Sequence, residues 1–443
     1  MDKLKSKLLE EKTIAVFGLG NVGGPITASW LRAGANIIGV DISKKLLSEI
    51  KKGTSHKKEP FVSKTLCDAI SKKKLKLTDD GISASKNSNI KIIIVPVALK
   101  NGKTDLRNII KVTETISKNI KKNDVVILSP SVPPGTTEKI ILPILEKGSG
   151  LIGEKDFLLI YNPERIFEGR AIQDIEENYP AIIAGLGKKS TIFGKNLLNL
   201  ISKKGVITLP NLASAEAEKL FEGVYRDVNI ALANQLSEYC EKIGINFWET
   251  RKASNSQPFC HLHYPGTGVG GLCIPVYPKI VLESSKKVGK ELELLEFSRK
   301  INDEMPIKCV NSALKILKKK SKTLKGKKIA VLGLGFRGEV TDKRLSPTYH
   351  VVKQFLKNNC IVQVHDPFIL TDDELPSTVK LSSDLIKVIK NSDLIFISTD
   401  HKSYKKLNQK IIKNAKSDVI IYDGRNILDK NNFKTEKIFT VGI

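Results

Sequence analysis

Residues 12–23, Lys12-Thr13-Ile14-Ala15-Val16-Phe17-Gly18-Leu19-Gly20-Asn21-Val22-Gly23, decide how the chain is read. Thr13–Phe17 is an apolar run of the kind found in strands buried on both faces. A glycine turn follows, then a helical pattern from about Val22 to Ala33. A second apolar run, Ile37–Val40, ends in Asp41, roughly twenty residues beyond the turn. The glycines permit a tight turn and let backbone amides approach a pyrophosphate at the helix N-terminus. Gly18, Gly20, Asn21, Val22 and Gly23 are therefore the expected cofactor contacts. Asp41 can accept hydrogen bonds from a ribose 2′-hydroxyl and would repel a 2′-phosphate, which favours NAD over NADP.

Working outward, further strands are expected at Lys91–Val97, Val125–Leu128, Phe157–Tyr161 and Ala181–Ala184, separated by helical stretches, the pattern of a parallel sheet covered by helices. From Leu212 to Ile243 a helical period runs almost unbroken, and a second long helical stretch covers about Leu292 to Lys320, interrupted near Pro306. Residues 327–335, Lys-Lys-Ile-Ala-Val-Leu-Gly-Leu-Gly, then repeat the opening pattern. Strands follow at Ile361–His365, Leu394–Ser398 and Val419–Tyr422. The second glycine turn, Gly333-Leu334-Gly335-Phe336-Arg337-Gly338, lacks a well-spaced acidic partner and reads as a different nucleotide site or a structural relic. The expected fold is α/β: two Rossmann-like doubly wound domains joined by a central helical core. The expected boundaries are 1–210, an NAD-binding domain; 211–322, a helical dimerisation and substrate domain; and 323–443, a nucleotide-binding domain.

Composition narrows the class. The chain has 443 residues, 41% hydrophobic and 27% charged, which is ordinary for a globular protein and excludes a disordered or collagen-like chain. No stretch approaches the ~20 apolar residues of a membrane span. The lysine-rich start, residues 1–12, has no apolar core and is not read as a signal peptide. Six cysteines are scattered without a CxxC pair, which fits a reducing, cytoplasmic setting. The net charge of +26 would attract anions, yet the aromatic residues, 6% of the chain, are not interleaved with the lysine runs as in a base-stacking groove. A solvated lysine surface is expected, with neither nucleic-acid binding nor membrane insertion. Cys260, His261, His263 and Cys273 carry metal-ligand chemistry, but a proline- and glycine-rich binding loop explains that composition better. The remaining histidines, 56, 350, 365 and 401, show no triad-like grouping.

Four further motifs give the chain a family resemblance. They are residues 131–137 (Ser-Val-Pro-Pro-Gly-Thr-Thr), residues 162–165 (Asn-Pro-Glu-Arg), residues 225–234 (Tyr-Arg-Asp-Val-Asn-Ile-Ala-Leu-Ala-Asn) and residues 265–275 (Pro-Gly-Thr-Gly-Val-Gly-Gly-Leu-Cys-Ile-Pro). In their order and separation the chain resembles the nucleotide-sugar 6-dehydrogenase family over nearly its whole length. The third motif resembles members acting on UDP-N-acetylhexosamines, especially UDP-N-acetylmannosamine. The resemblance implies oxidation of a sugar C6 alcohol to a carboxylate with two NAD in turn, making a uronic acid for surface polysaccharide or glycan, and a homodimer built on the long central helix. It implies Cys273 as the nucleophile that captures the intermediate aldehyde and becomes a thioester. Lys219 would stabilise an oxyanion, Glu164 stand near the hydrolytic water, and Ser131 stand where the family usually has threonine, beside the cofactor. Arg344 is implied as a further cofactor contact. Arg165, Glu168, Arg226, Asn229, Tyr264, Gly266, Gly270, Arg337 and Arg425 are implied as substrate contacts.

Several positions depart from the family. Tyr277 stands where an aspartate is usual four residues after the cysteine, Gly223 where an asparagine is usual four after the lysine, and Leu272 where N-acetyl-sugar members carry histidine. Val95-Pro96-Val97-Ala98 lacks a hydroxyl near the cofactor, and Arg337 replaces a lysine. A tyrosine is a poor base at neutral pH compared with a carboxylate. Two expectations therefore stand side by side: an active dehydrogenase, or a catalytically impaired relative that binds NAD or a UDP-sugar.

Overall fold

The computed structural model describes residues 9, 11–56, 59–100, 102–321, 323–433 and 438–443. Most of the lysine-rich start of the chain read above lies outside them. The chain divides into two compact units: Met1–Glu222 with Glu283–Val288, and Gly223–Leu282 with Gly289–Ile443.

The first unit is an eight-stranded sheet. Its strands are β1 (Thr13–Phe17), β2 (Asn36–Val40), β3 (Leu75–Thr78), β4 (Ile90–Ile93), β7 (Val125–Leu128), β8 (Leu158–Tyr161), β9 (Ala181–Gly185) and β10 (Val206–Thr208), in the order β10-β9-β8-β7-β4-β1-β2-β3. Between β4 and β7 lies a separate hairpin, β5 (Ala98–Lys100) and β6 (Lys103–Asp105). Neighbours in the sheet are parallel except β8 and β9, which pair antiparallel. The inner strands are buried along their length because both faces carry helices, so β7 reads Val-Val-Ile-Leu without alternation. One apolar cluster on one face centres on Ile14, Val16, Trp30 and Ile127, and another on the opposite face on Ala15, Phe17, Val126 and Tyr161. Strand β4 ends at Ile93 and does not reach Val97. Pro96 has no N–H for a ladder, and the chain leaves the sheet before it. The sequence reading also passed over the short edge strands β3 and β10.

The second unit holds a six-stranded, all-parallel sheet: β11 (Lys328–Leu332), β12 (Ile361–His365), β13 (Lys380–Ser382), β14 (Leu394–Ile397), β15 (Ile420–Asp423) and β16 (Ile438–Thr440), in the order β13-β12-β11-β14-β15-β16. The helix Glu293–Lys320 packs Met305, Cys309, Val310, Ala313 and Leu317 into the core beneath it. This helix runs through Pro306, where the sequence predicts a break. A proline inside a helix costs ~3 kcal/mol. Here its flanks are anchored by Met305 and Cys309, each at most 2% exposed, and burial of those side chains at roughly 1.5–3 kcal/mol each offsets the loss. The helix Leu212–Ile243 is continuous, as the period predicts. Among the described residues, no helix is long and apolar enough to cross a membrane.

Candidate active site

The first glycine turn has the predicted geometry. Gly18 sits at φ +101°, which a side chain resists, and a Cβ on Gly23 would lie 1.9 Å from the Gly18 carbonyl oxygen. A Cβ on Gly20 would meet nothing within 4 Å, so that side of the turn is open to a ligand. The helix Gly23–Arg32 starts directly from the turn, with Gly24 N–H donating to Gly20 O at 2.9 Å. Asp41 caps the end of β2: one carboxylate oxygen accepts from Leu19 N at 2.8 Å, the other from Ser43 N at 2.8 Å. Open turn, helix N-terminus and acid together fit an adenine dinucleotide, whose pyrophosphate Gly18, Gly20, Asn21, Val22 and Gly23 would hold and whose ribose Asp41 would meet. His56, which the sequence left without a role, presents Nε2 to the carbonyls of Leu19 and Gly20 at 2.9 and 3.1 Å and packs over Gly24. Nothing in its sequence context signalled this.

A second cluster in the first unit gathers around Glu164. Arg165 is held by Glu222 at 3.1 Å, by Glu218 at 3.6 Å and by the Pro180 carbonyl, with its guanidinium over the Tyr179 ring. Lys219 lies 3.7 Å from Glu222 and opposes, by its charge, the upward push that burial gives the Glu164 carboxyl. Burial and the charge of Glu222 push Glu218 up to about 7. Glu164 and Arg165 line a cavity of about 60 Å³ with Ser129, Asn162 and Asp174. Ser131 follows β7 in a loop that Glu216 pins down: this fully buried carboxylate accepts from the amides of Gly135 and Thr137 and from the Thr137 hydroxyl. The sequence reading missed Glu216; its one signal was an acid inside the small, apolar run 212–217. Glu168 lies in the turn after Arg165.

The second unit carries the cysteine loop. Cys273 is exposed, the one described cysteine in that class. Its carbonyl accepts from Val276 and Tyr277 at 3.1 and 2.9 Å, so it stands immediately before the helix Tyr277–Lys287. The Tyr277 hydroxyl donates to the Cys273 sulfur at 3.5 Å. The glycines upstream are required by packing. A Cβ on Gly270 would come 2.6 Å from the Leu345 carbonyl, one on Gly266 would come 2.9 Å from Arg425, and the Gly271 amide donates to Arg344 O. Arg425 donates through Nε to Ser398 O at 2.7 Å, and the Arg344 guanidinium is paired with Asp342. Arg337 follows Phe336, whose ring packs on Gly271. Tyr264 is stacked by Arg251 at 3.8 Å. Arg226 is exposed on the long helix, and Asn229 donates to Tyr225 O one turn back. A buried polar network, unread in the sequence, holds this loop to the helices. Arg299 pairs with Asp227, Asn302 donates to Asp227, Asn234 donates to Asn302, and the Gly266 amide donates to Asn234. Burial pushes the Asp227 carboxyl up to about 6, with the Arg299 charge opposing.

Two expectations about the second glycine turn change. It does have an acid: Asp366, at the end of β12, accepts from the amides of Leu334 and Gly335 at 2.8 and 3.0 Å. An irregular segment between Gly338 and the helix Thr348–Lys357 displaces that acid beyond the usual spacing. The histidines also group: His401 Nε2 lies 3.3 Å from the Asp366 carboxylate, and His365 bonds the Tyr404 hydroxyl at 2.8 Å.

Comparison with known proteins agrees along the chain. Residues 12–201 match the NAD binding domain of the UDP-glucose/GDP-mannose dehydrogenase family, residues 213–304 its central domain and residues 330–430 its UDP binding domain. A UDP-N-acetyl-D-mannosamine dehydrogenase of Pyrococcus horikoshii is 34% identical over 416 residues, 94% of this chain and 96% of that one. A solved UDP-D-ManNAc dehydrogenase structure from Pyrococcus horikoshii superposes with a TM-score of 0.89 at 32% identity, covering 97% of this chain and 99% of that one. An NDP-N-acetyl-D-galactosaminuronic acid dehydrogenase from Methanosarcina mazei superposes at 0.84 with 29% identity, over 98% of this chain and 97% of that one.

Proposed function

The chain belongs to the UDP-glucose/GDP-mannose dehydrogenase family, an NAD-dependent oxidoreductase family, and from that premise we propose that it oxidises C6 of UDP-N-acetylmannosamine to the uronate through a covalent cysteine intermediate. The observation that carries this reading is the exposed thiol of Cys273, set before a helix N-terminus and behind glycines that let the loop pack closely on Arg425, Leu345 and Phe336. When bound, NAD supplies a hydride acceptor, twice per product. The rest is the work of the chain. After the first oxidation the Cys273 thiolate adds to the C6 aldehyde, forming the C–S bond while the carbonyl π pair moves to oxygen. The ammonium of Lys219 stabilises that oxygen. Loss of the second hydride leaves a thioester. Water then attacks, the C–S bond breaks, and the thiolate leaves. Glu164 takes the water's proton, a task helped by burial, which raises the proton affinity of its carboxyl. Ser131 and Arg344 contact the cofactor, and Arg165, Glu168, Arg226, Asn229, Tyr264, Gly266, Gly270, Arg337 and Arg425 frame the substrate or hold those that do.

We propose 1–210, 211–322 and 323–443 as the functional domains, a reading supported by the matched segments 12–201, 213–304 and 330–430. Tyr225, Leu232, Tyr239 and Ile243 expose apolar surface along one stretch of the long helix, which supports a homodimer. A mass of two chains in light scattering is the expected result.

The test is purified protein with NAD and a panel of UDP-sugars. Two NADH per uronate are expected with UDP-N-acetylmannosamine, and Cys273→Ala should lower turnover by at least ~10³-fold. No NADH from any sugar, with NAD binding demonstrated, overturns the reading. The packing of Tyr277 against Gly223 favours a second reading, an enzyme slow at hydrolysis. It predicts an acyl adduct on Cys273 in the intact-mass spectrum.

A further inference from the structure

Two of the departures from the family pattern turn out to be one feature. Gly223 lies buried in the interior of the helix Leu212–Ile243, a place where glycine is unfavourable relative to alanine. A Cβ there would lie 2.5 Å from Cδ2 of the Tyr277 ring and 3.1 Å from its Cβ and Cγ. No side chain fits at position 223 while Tyr277 keeps its place. Tyr277 is itself 8% exposed, and its ring in that gap delivers the hydroxyl to the Cys273 sulfur at 3.5 Å, an ordinary O–H···S separation. Glycine at 223 and tyrosine at 277 are therefore complementary in shape, and the product of that complementarity is a hydrogen-bond donor aimed at the thiol.

We propose that Tyr277 is a positioning residue for Cys273, holding its sulfur as a hydrogen-bond acceptor, with Gly223 as the gap that seats its ring. The proposal deepens the dehydrogenase reading and rests on it for the role of the sulfur. A hydrogen bond donated to the sulfur fixes where it sits, and a nucleophile held in place reacts faster than one that must first find its orientation. Once the sulfur is bonded to carbon its negative charge is gone and the contact weakens, so Tyr277 assists capture and contributes no base to hydrolysis. The site is thus biased toward forming the covalent intermediate.

The experiment is the rate of Cys273 alkylation by iodoacetamide at pH 7 in the full-length protein, read by mass spectrometry, for the parent, Tyr277→Phe, Gly223→Ala and the double variant. Tyr277→Phe keeps the ring and the melting temperature. Its alkylation should be roughly 3–10-fold slower than the parent's. Gly223→Ala displaces the ring and should slow alkylation as well, and the double variant should slow it no further than either single one. A Tyr277→Phe rate equal to the parent's overturns the proposal, as does a Gly223→Ala rate equal to it. Alkylation needs no turnover, so the two readings separate. A slowed alkylation without NADH from any UDP-sugar removes the dehydrogenase reading alone, and NADH with an unchanged alkylation rate removes this proposal alone.

Discussion

The two glycine turns begin alike and end as different devices. After β1, the turn runs straight into the helix Gly23–Arg32, Gly20 faces open space, and Asp41 spends one oxygen on one turn amide, Leu19 N. After β11, no helix starts until Thr348, and a Cβ on Gly335 would press on the carbonyls of Arg337 and Val340 at 3.2 and 3.3 Å. Fully buried Asp366 there takes the amides of Leu334 and Gly335, those of Phe368 and Ile369, and His401. A phosphate cradle needs free amides at a helix N-terminus. The first turn keeps both conditions. In the second, Asp366 takes the amides of Leu334 and Gly335.

That contrast is most exposed to failure at the two acids. Asp366→Ala strands several buried donors and should cost about 3–5 kcal/mol of stability in denaturant titration. Asp41→Ala should leave stability within about 1 kcal/mol and weaken NAD binding by ~10–100-fold in calorimetry. Exchanged outcomes would break the comparison. Next, Gly20→Ala should fold normally, because a Cβ there meets nothing, while weakening NAD ~10-fold or more by blocking close approach. A third effect is in pH. Burial works against ionising Asp366, yet the bonds from His401 and the amides outweigh it and hold the carboxyl at about 2. Its folded value lies below the unfolded ~3.9, so its contribution is full above pH ~4 and is lost as pH falls toward 2. The stability gap between parent and Asp366→Asn should narrow over that window. Glu218 has the opposite sign: pushed up to about 7, it opposes folding increasingly as pH rises from ~4.5 through 7. Glu218→Gln should therefore gain on the parent at pH 8 relative to pH 5, by on the order of 1 kcal/mol after solvent screening. The smallest effect is at His56, whose imidazole steadies the Leu19 and Gly20 carbonyls. His56→Ala should weaken NAD by ~3–10-fold and leave the second unit's unfolding unchanged.

How much of this was legible follows the range of the interactions. Gly18, Gly20, Gly23 and Asp41 could be read because the turn, the helix start and the next strand are local, and their chemistry depends on backbone freedom at set intervals. The long helix Leu212–Ile243 could be read from its period. The edge strands Leu75–Thr78 and Lys380–Ser382 were overlooked because they are short and only partly buried, with little apolar signal. Asp366 was overlooked because it stands 28 residues after Gly338, whereas Asp41 stands 18 after Gly23. Glu216 gives no pattern at all, since the amides it satisfies lie 79 and 81 residues away.

Residue order alone determined the α/β class, the repeated strand–turn opening and the dinucleotide fingerprint, since each rests on backbone preference or a contiguous motif. Tertiary structure decided which glycine turn retains free amides, why a helix passes through Pro306, and that Gly223 and Tyr277 form one unit. Those outcomes depend on volume and hydrogen-bond donors shared between distant segments, and no interval along the chain encodes which distant atoms will compete for the same space.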